Sequence, residues 1–232
     1  MGSIRTYMKG TLFVVATPIG NLSDTSERAK STLNEVDTIL CEDTRVTSKL
    51  LAVFGIQKPL LSYHQHSGDD RTREIIRRLK EGESFVLVTD AGTPGISDPG
   101  GKLVEAVVRA LGSEVIIHPI PGPCAAAVAL SISGFPADVF FFYGFPPQKN
   151  GRKTYFAKIS ATDETVVFYE STHRIKKTLE QLGEAIGNRP IVVCRELTKL
   201  HETIYRGTAK EVTEALKLGS IKGEFVIVVR AK

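Results

Sequence analysis

Three times before residue 125 the chain ends an apolar run on a loop of glycine and proline, and this pattern restricts the fold more than any other feature of the sequence. The run 11–16 leads into Ala16-Thr17-Pro18-Ile19-Gly20-Asn21. The run Phe85–Val88 leads into the long loop from Thr89 to Gly101, with the core Asp90-Ala91-Gly92-Thr93-Pro94-Gly95-Ile96-Ser97-Asp98. The run 114–118 leads into Pro119-Ile120-Pro121-Gly122-Pro123-Cys124. Runs of this length read as strands, and helical patterns follow the second and third loops, one opening near Pro99–Lys102 and an alanine-rich one over 125–133. Open α/β folds place ligands at such strand ends. Glycine lets a backbone come close to a ligand, and proline stiffens the loop. The competing reading is purely structural: a sharp turn needs the same residues, and Asp98 suits a helix cap.

The rest of the chain repeats the alternation. Further strands are predicted at 37–41, 59–63, 84–89, 139–144, 164–169, 190–196, 202–207 and 223–230. Helical spacing of Ile75, Ile76 and Leu79 predicts a helix over 69–81, and that of Ile175, Leu179, Leu182 and Ile186 predicts one over 171–187. Strands separated by helices imply mostly parallel sheets, with antiparallel pairs near 202–207 and 223–230. The boundary falls near Pro119–Gly122, giving an N-terminal α/β domain at 8–118 and a C-terminal α/β domain at 119–232. No internal repeat or low-complexity tract is present.

Composition narrows the function classes. Of 232 residues, 42% are hydrophobic and 24% charged, which fits a globular chain with a sizeable core. No apolar run approaches the ~20 residues of a membrane helix, and no signal peptide is recognised. Cys41, Cys124 and Cys194 are scattered without a CxxC pair, which suits a reduced cytoplasm and argues against structural zinc. Charge is lopsided. Residues 1–118 carry 14 Lys/Arg and 15 Asp/Glu, residues 119–232 carry 16 and 11, and residues 145–177 carry seven and three. A basic second half points to a polyanionic partner, or to a merely solvated surface.

The loops exclude some ligands. Gly95 to Lys102 nearly matches a P-loop, but the spacing is one residue too long, and Leu103 stands where a magnesium-binding Ser/Thr belongs. No GxGxxG is present. The three Gly/Pro loops bring few cationic side chains. They suit a ligand with a positively charged polar head and an adenine-like ring better than a triphosphate.

Taken in order, the segments become recognisable. They are Val15-Ala16-Thr17-Pro18-Ile19-Gly20-Asn21-Leu22, Glu42-Asp43-Thr44-Arg45, Ser62-Tyr63-His64, Asp90-Ala91-Gly92-Thr93-Pro94, Ser97-Asp98-Pro99-Gly100, Pro121-Gly122-Pro123, Phe168-Tyr169-Glu170-Ser171 with His173-Arg174, Arg195-Glu196-Leu197-Thr198-Lys199 and Lys222-Gly223-Glu224. From about residue 11 to 230 the chain resembles the tetrapyrrole-methylase superfamily, and within it the small-subunit (16S) ribosomal RNA cytidine 2′-O-methyltransferases. The resemblance implies two α/β domains of the tetrapyrrole-methylase type with the cofactor cleft between them, S-adenosyl-L-methionine as cofactor, and a homodimer. It implies cofactor contacts at Pro18, Asp90, Gly92, Thr93, Ile96, Ser97, Gly122, Cys124, Ala125, Tyr169 and Gly223. A side chain at Gly122 is expected to intrude on the cofactor and to deny the backbone positive φ. The chain departs from the family pattern at Cys124, where Ser is expected, and at Thr172, where Pro is expected.

Methyl transfer to a ribose hydroxyl needs in-line orientation and a base for the 2′-proton. Candidate catalytic residues are Asp43, Glu170, Glu196 and Lys199, with His173 also in reach of the motif set. Each has a structural alternative: Asp43 with Arg45, and Glu196 with Lys199, read equally well as local ion pairs. RNA contacts are expected at Arg45, Lys149, Arg152, Arg174 and Lys177, from small-subunit ribosomal RNA or the assembled subunit. A tetrapyrrole C-methyltransferase and a non-catalytic RNA-binding module are the rival readings. No metal site is expected, and His64-Gln65-His66 reads as loop or packing.

Overall fold

The computed structural model describes residues 9–64, 67–98 and 100–232. Two compact units divide between Pro123 and Cys124. The first holds β1 (Thr11–Val15), α1 (Glu27–Glu35), β2 (Thr38–Cys41), α2 (Thr44–Val53), β3 (Leu60–Ser62), α3 (Asp69–Lys80), β4 (Ser84–Leu87), α4 (Gly100–Leu111) and β5 (Ile116–Ile120). Its sheet has the order β3-β2-β4-β1-β5 and is parallel throughout.

Alternation along these strands divides the core into two layers. Phe13, Val15, Ile39, Cys41, Val86 and Val88 face Ala29 and Leu33 of α1 and Leu51 of α2. Leu12, Leu40, Phe85 and Leu87 face Ile75 and Leu79 of α3 and Leu103 and Val107 of α4. A parallel sheet buried on both faces reads as a continuous apolar run, which is why these strands are visible in the sequence. The helices are set by local signals. Ser26 caps α1 by accepting the Ala29 N–H, and Asp43 caps α2 by accepting that of Arg45.

The second unit holds α5 (Ala125–Ser133), β6 (Phe140–Phe142), α6 (Arg152–Ala161), β7 (Thr165–Ser171), α7 (Ile175–Ile186), β8 (Ile191–Arg195), β9 (Thr203–Gly207), α8 (Ala209–Lys217) and β10 (Glu224–Val229). Its sheet order is β6-β7-β10-β8-β9. Only β6 and β7 run parallel; the other three pairings are antiparallel. One face packs Val166, Phe168, Val193, Phe225 and Ile227 against α6, α7 and α8, while α5 lies against β7 and β10.

Every predicted strand is present, with shifted ends. β5 runs on to Ile120, so a boundary after 118 would cut through a strand. Pro119 is tolerated there because β5 is an edge strand and its missing N–H breaks no ladder. The helix expected from 171 starts at Ile175, since β7 continues to Ser171. Periodicity does not single out α6, because one of its buried positions is Arg152, which interrupts the apolar stripe. Among the described residues no helix is long and apolar enough to cross a membrane.

Candidate functional site

In the first unit β4, β1 and β5 are adjacent and parallel, so their carboxyl ends bring the three Gly/Pro loops together at one edge of the sheet. Backbone pairing joins the loops. The Thr17 N–H donates to the Gly92 carbonyl at 2.9 Å, and the Gly92 N–H returns a bond to Thr17 at 3.1 Å. Gly92 has φ +91°, a conformation open to glycine and costly for a side chain. The Thr17 hydroxyl donates to the Thr89 carbonyl at 3.1 Å, and the Thr93 hydroxyl to that of Pro123 at 3.0 Å. Asp98 closes the long loop by accepting the Gly95 and Gly100 N–H groups at 2.6 and 2.9 Å. Asp90, Ile96, Ser97 and Gly122 remain exposed.

Two carboxylates stand side by side at this edge. The Asp43 N–H donates to Asp90 at 3.3 Å. The side chain of Asp43 is bound by Arg45, whose Nε and Nη2 lie 3.0 and 2.6 Å from its two oxygens. That guanidinium holds the Asp43 carboxyl down to about 2. Asp90 moves the other way. Burial pushes its carboxyl up and the charge of Asp43 adds to the rise, against the bond from the Asp43 N–H. A hollow of about 310 Å³ adjoins Asp90 and Pro18, walled by Val46, Leu50 and Val53 of α2. That wall escaped sequence reasoning, although its spacing of four and three residues is a helical signal.

The second unit carries two polar knots. In the first, Glu170 is buried. It accepts from the Ser171 N–H at 2.7 Å and the Thr178 hydroxyl at 2.6 Å, and it pairs with Arg174 at 2.8 Å and Arg152 at 3.9 Å. In the second, Glu196 accepts the Glu224 N–H and the Lys199 ammonium, both at 2.9 Å. Burial raises the Glu196 carboxyl, but Lys199 and the Glu224 N–H outweigh it and the net shift is downward. Lys199 also meets Glu224 at 3.0 Å. Burial opposes its charge, yet the two carboxylates push its ammonium upward. Glu196 and Thr198 both sit at positive φ, 53° and 64°. Arg195 holds this turn through the carbonyls of Lys222 at 2.6 Å and His201 at 3.0 Å. Thr172 uses its hydroxyl to bond both the N–H and the carbonyl of Gly223, a double contact that proline could not make.

These contacts correct several sequence expectations. Glu170 is 1% exposed and fully engaged, so it is a structural ion rather than an accessible base. Arg152 is 6% exposed and spends its guanidinium on Gln181, Thr178 and the Pro147 carbonyl, so it does not face RNA. Arg174 is turned inward to Glu170, Ser171 and the Pro146 carbonyl. Gly122 does not adopt positive φ; its β-carbon would instead stand 2.8 Å from that of Ala16. Arg45, Lys149, His173 and Lys177 are exposed. Cys124 caps α5 without a side-chain bond, and beside Ala125 the Ala126 N–H donates to the Tyr169 hydroxyl at 3.2 Å. Gly223 abuts Glu196. His66 and Pro99 lie outside the described residues.

A sequence profile described as Tetrapyrrole (Corrin/Porphyrin) Methylases matches residues 11–213. The chain belongs to this family. It is 47% identical to the ribosomal RNA small subunit methyltransferase I of Halalkalibacterium halodurans, over 95% of this chain and 76% of that one. It is 43% identical to the protein of the same name from Thermotoga maritima, over 96% and 99%. Among solved structures, a diphthine synthase superposes with a TM-score of 0.71 at 17% identity, covering 96% of this chain and 90% of that one. The uroporphyrin-III-C-methyltransferase of Thermus thermophilus gives 0.65 at 19%, covering 96% and 94%. At those identities the likeness is one of fold.

The chain is thus a methyltransferase of the tetrapyrrole-methylase fold, and its methyl donor is S-adenosylmethionine. The residues of the first unit fit that cofactor. Its loops 16–22, 89–98 and 119–123 contain no Lys or Arg to hold a polyphosphate. They offer the Asp90 carboxylate to a cationic head, the exposed Ile96 to an apolar ring, and open backbone at Gly122. As a methylase, the chain needs its own side chains mainly to orient the acceptor and remove a proton.

Proposed function

We propose that this methylase acts on the ribose 2′-hydroxyl of a cytidine in the decoding region of small-subunit (16S) ribosomal RNA. The observation that carries the reading is the 43–48% identity, along nearly the whole chain, to proteins named ribosomal RNA small subunit methyltransferase I. The tetrapyrrole enzymes among the solved structures stand at 15–21% and share no more than the fold. The protein works as a homodimer in the cytoplasm, on naked RNA or on the assembled subunit.

S-adenosylmethionine supplies the methyl group when bound. On the first unit the cofactor is held by Pro18, Asp90, Gly92, Thr93, Ile96, Ser97 and Gly122. The carboxylates left to accept the 2′-proton are Asp43 and Glu196, because Asp90 serves the cationic head of the cofactor and Glu170 is buried. Arg45 lowers the proton affinity of Asp43, and Lys199 that of Glu196. Lys199, an ammonium flanked by Glu196 and Glu224, orients rather than deprotonates.

Nucleoside mass spectrometry tests the reading. Small-subunit RNA treated with the protein and S-adenosylmethionine should yield 2′-O-methylcytidine. A base-methylated nucleoside as the sole product, or methylation of a porphyrinogen and not of RNA, would refute it.

A further inference from the structure

The second unit contains a groove of about 860 Å³ between α7 and α8 that contains none of the Gly/Pro loops. Four lysines line it: Lys176 and Lys177 in the first turn of α7, Lys210 in the first turn of α8, and Lys217 at the end of α8. Its acids are Glu180 and Glu214, and Glu214 is taken up by Lys217 at 2.7 Å. Lys176, Lys177 and Lys210 are exposed and form no ion pair among the described residues. Helix α3 is a contrast within the same chain. On α3, Arg71, Arg73, Arg77 and Arg78 all pair with acids.

Helix stability does not explain these lysines. Cations at the first turn oppose the helix dipole, and α7 has no acid in its first turn. Lys176, Lys177 and Lys210 also precede the acids a turn away on their helices, Glu180 and Glu214, the weaker orientation for such pairs. Positions where a sequence breaks a local rule without local gain are where function is to be sought.

We propose that the α7–α8 groove docks the phosphate backbone of the substrate RNA, a role that rests on the ribosomal RNA reading above. The groove follows α8 for about 14 Å, long enough to pass several phosphates. Its floor residues Leu179 and Leu216 are 1% and 2% exposed, so the lining offers a protein partner no large apolar anchor. Phosphate needs only the cations, with Asn188 and Thr213 as further polar contacts. Gly183 lets the helices approach, since a β-carbon there would come 3.2 Å from that of Ala209. The charge assigned in the sequence to Arg152 and Arg174 thus passes to lysines of α7 and α8 in the same unit.

The test compares the wild-type protein with Lys176→Glu/Lys210→Glu and with Glu180→Lys, using stripped small-subunit RNA across a salt series. The double variant should bind RNA roughly tenfold or more weakly at low salt, and its slope of log K against log salt should fall by about 0.7–0.9 for each lost contact. Glu180→Lys should bind more tightly. S-adenosylmethionine affinity and kcat at saturating RNA should be unchanged in both, which also shows that they fold. If wild type methylates RNA and the variants keep its affinity and slope, the groove is not the docking site and the function stands. If wild type neither binds nor methylates ribosomal RNA, the substrate reading fails and the groove proposal with it. Loss of affinity for assembled subunits, with none for stripped RNA, would assign the groove to a ribosomal protein and overturn RNA docking.

Discussion

Glu170 and Arg174 form an ion pair of 2.8 Å in which the carboxylate is wholly buried and the guanidinium reaches in from the turn before α7. The pair ties the end of β7 to α7, and Thr178 and Arg152 complete it. Removing one member of a buried pair strands the other charge, at a cost of about 3–5 kcal/mol. Glu170→Ala should therefore lower unfolding free energy by about that amount in chemical denaturation. Glu170→Gln, which keeps an acceptor for Thr178, should lose less. A Glu170→Ala protein of normal stability but no activity would return the residue to the chemistry.

Gly122→Val should harm both stability and cofactor binding. The crowding against Ala16 is an overpacking problem, worth about 1–3 kcal/mol. Calorimetry with S-adenosylmethionine and a thermal melt measure the two effects. An unaltered melt together with unaltered binding would mean that the loop shifts freely and is not a cofactor wall.

Asp43 should make stability depend on acid pH. Its folded carboxyl lies at about 2 against an ordinary 3.8, so its stabilising effect is complete above the ordinary value and is lost as pH falls toward 2. Asp43→Ala should lower Tm at pH 7, and the gap to wild type should close between about pH 4 and 2. A gap that is constant with pH would show that the Arg45 pairing contributes nothing.

Gly223→Ala should be strongly unfavourable, because a β-carbon there would sit 2.5 Å from Cγ of Glu196 and the residue holds φ +127°. The backbone part alone is of order 1–3 kcal/mol. Shortening Glu196 to Ala should rescue part of the loss, and a double-mutant cycle reads the coupling. Additive effects would show that the two residues do not press on each other.

Residue order alone reveals the strands, the loops and the helices α3, α4, α5 and α7. Alternating and continuous apolar runs reveal all ten strands, because burial of one or both sheet faces writes itself into residue order. The Gly/Pro loops after β1, β4 and β5 are legible for the same local reason: only those residues make such turns. Helix α6 was hidden, because the buried Arg152 looks in sequence like surface. Strand order was decided by the tertiary structure. β1 lies between β4 and β5, strands far along the chain, and that arrangement alone brings three distant loops to one edge. Charge was legible as a count but not as a place. Arg152 and Arg174 look in sequence like the lysines beside them, yet they fold inward because the buried Glu170 demands partners, while Lys176 and Lys177 stay in solvent. Whether a cation meets solvent depends on what the fold puts next to it, and local pattern carries no record of that.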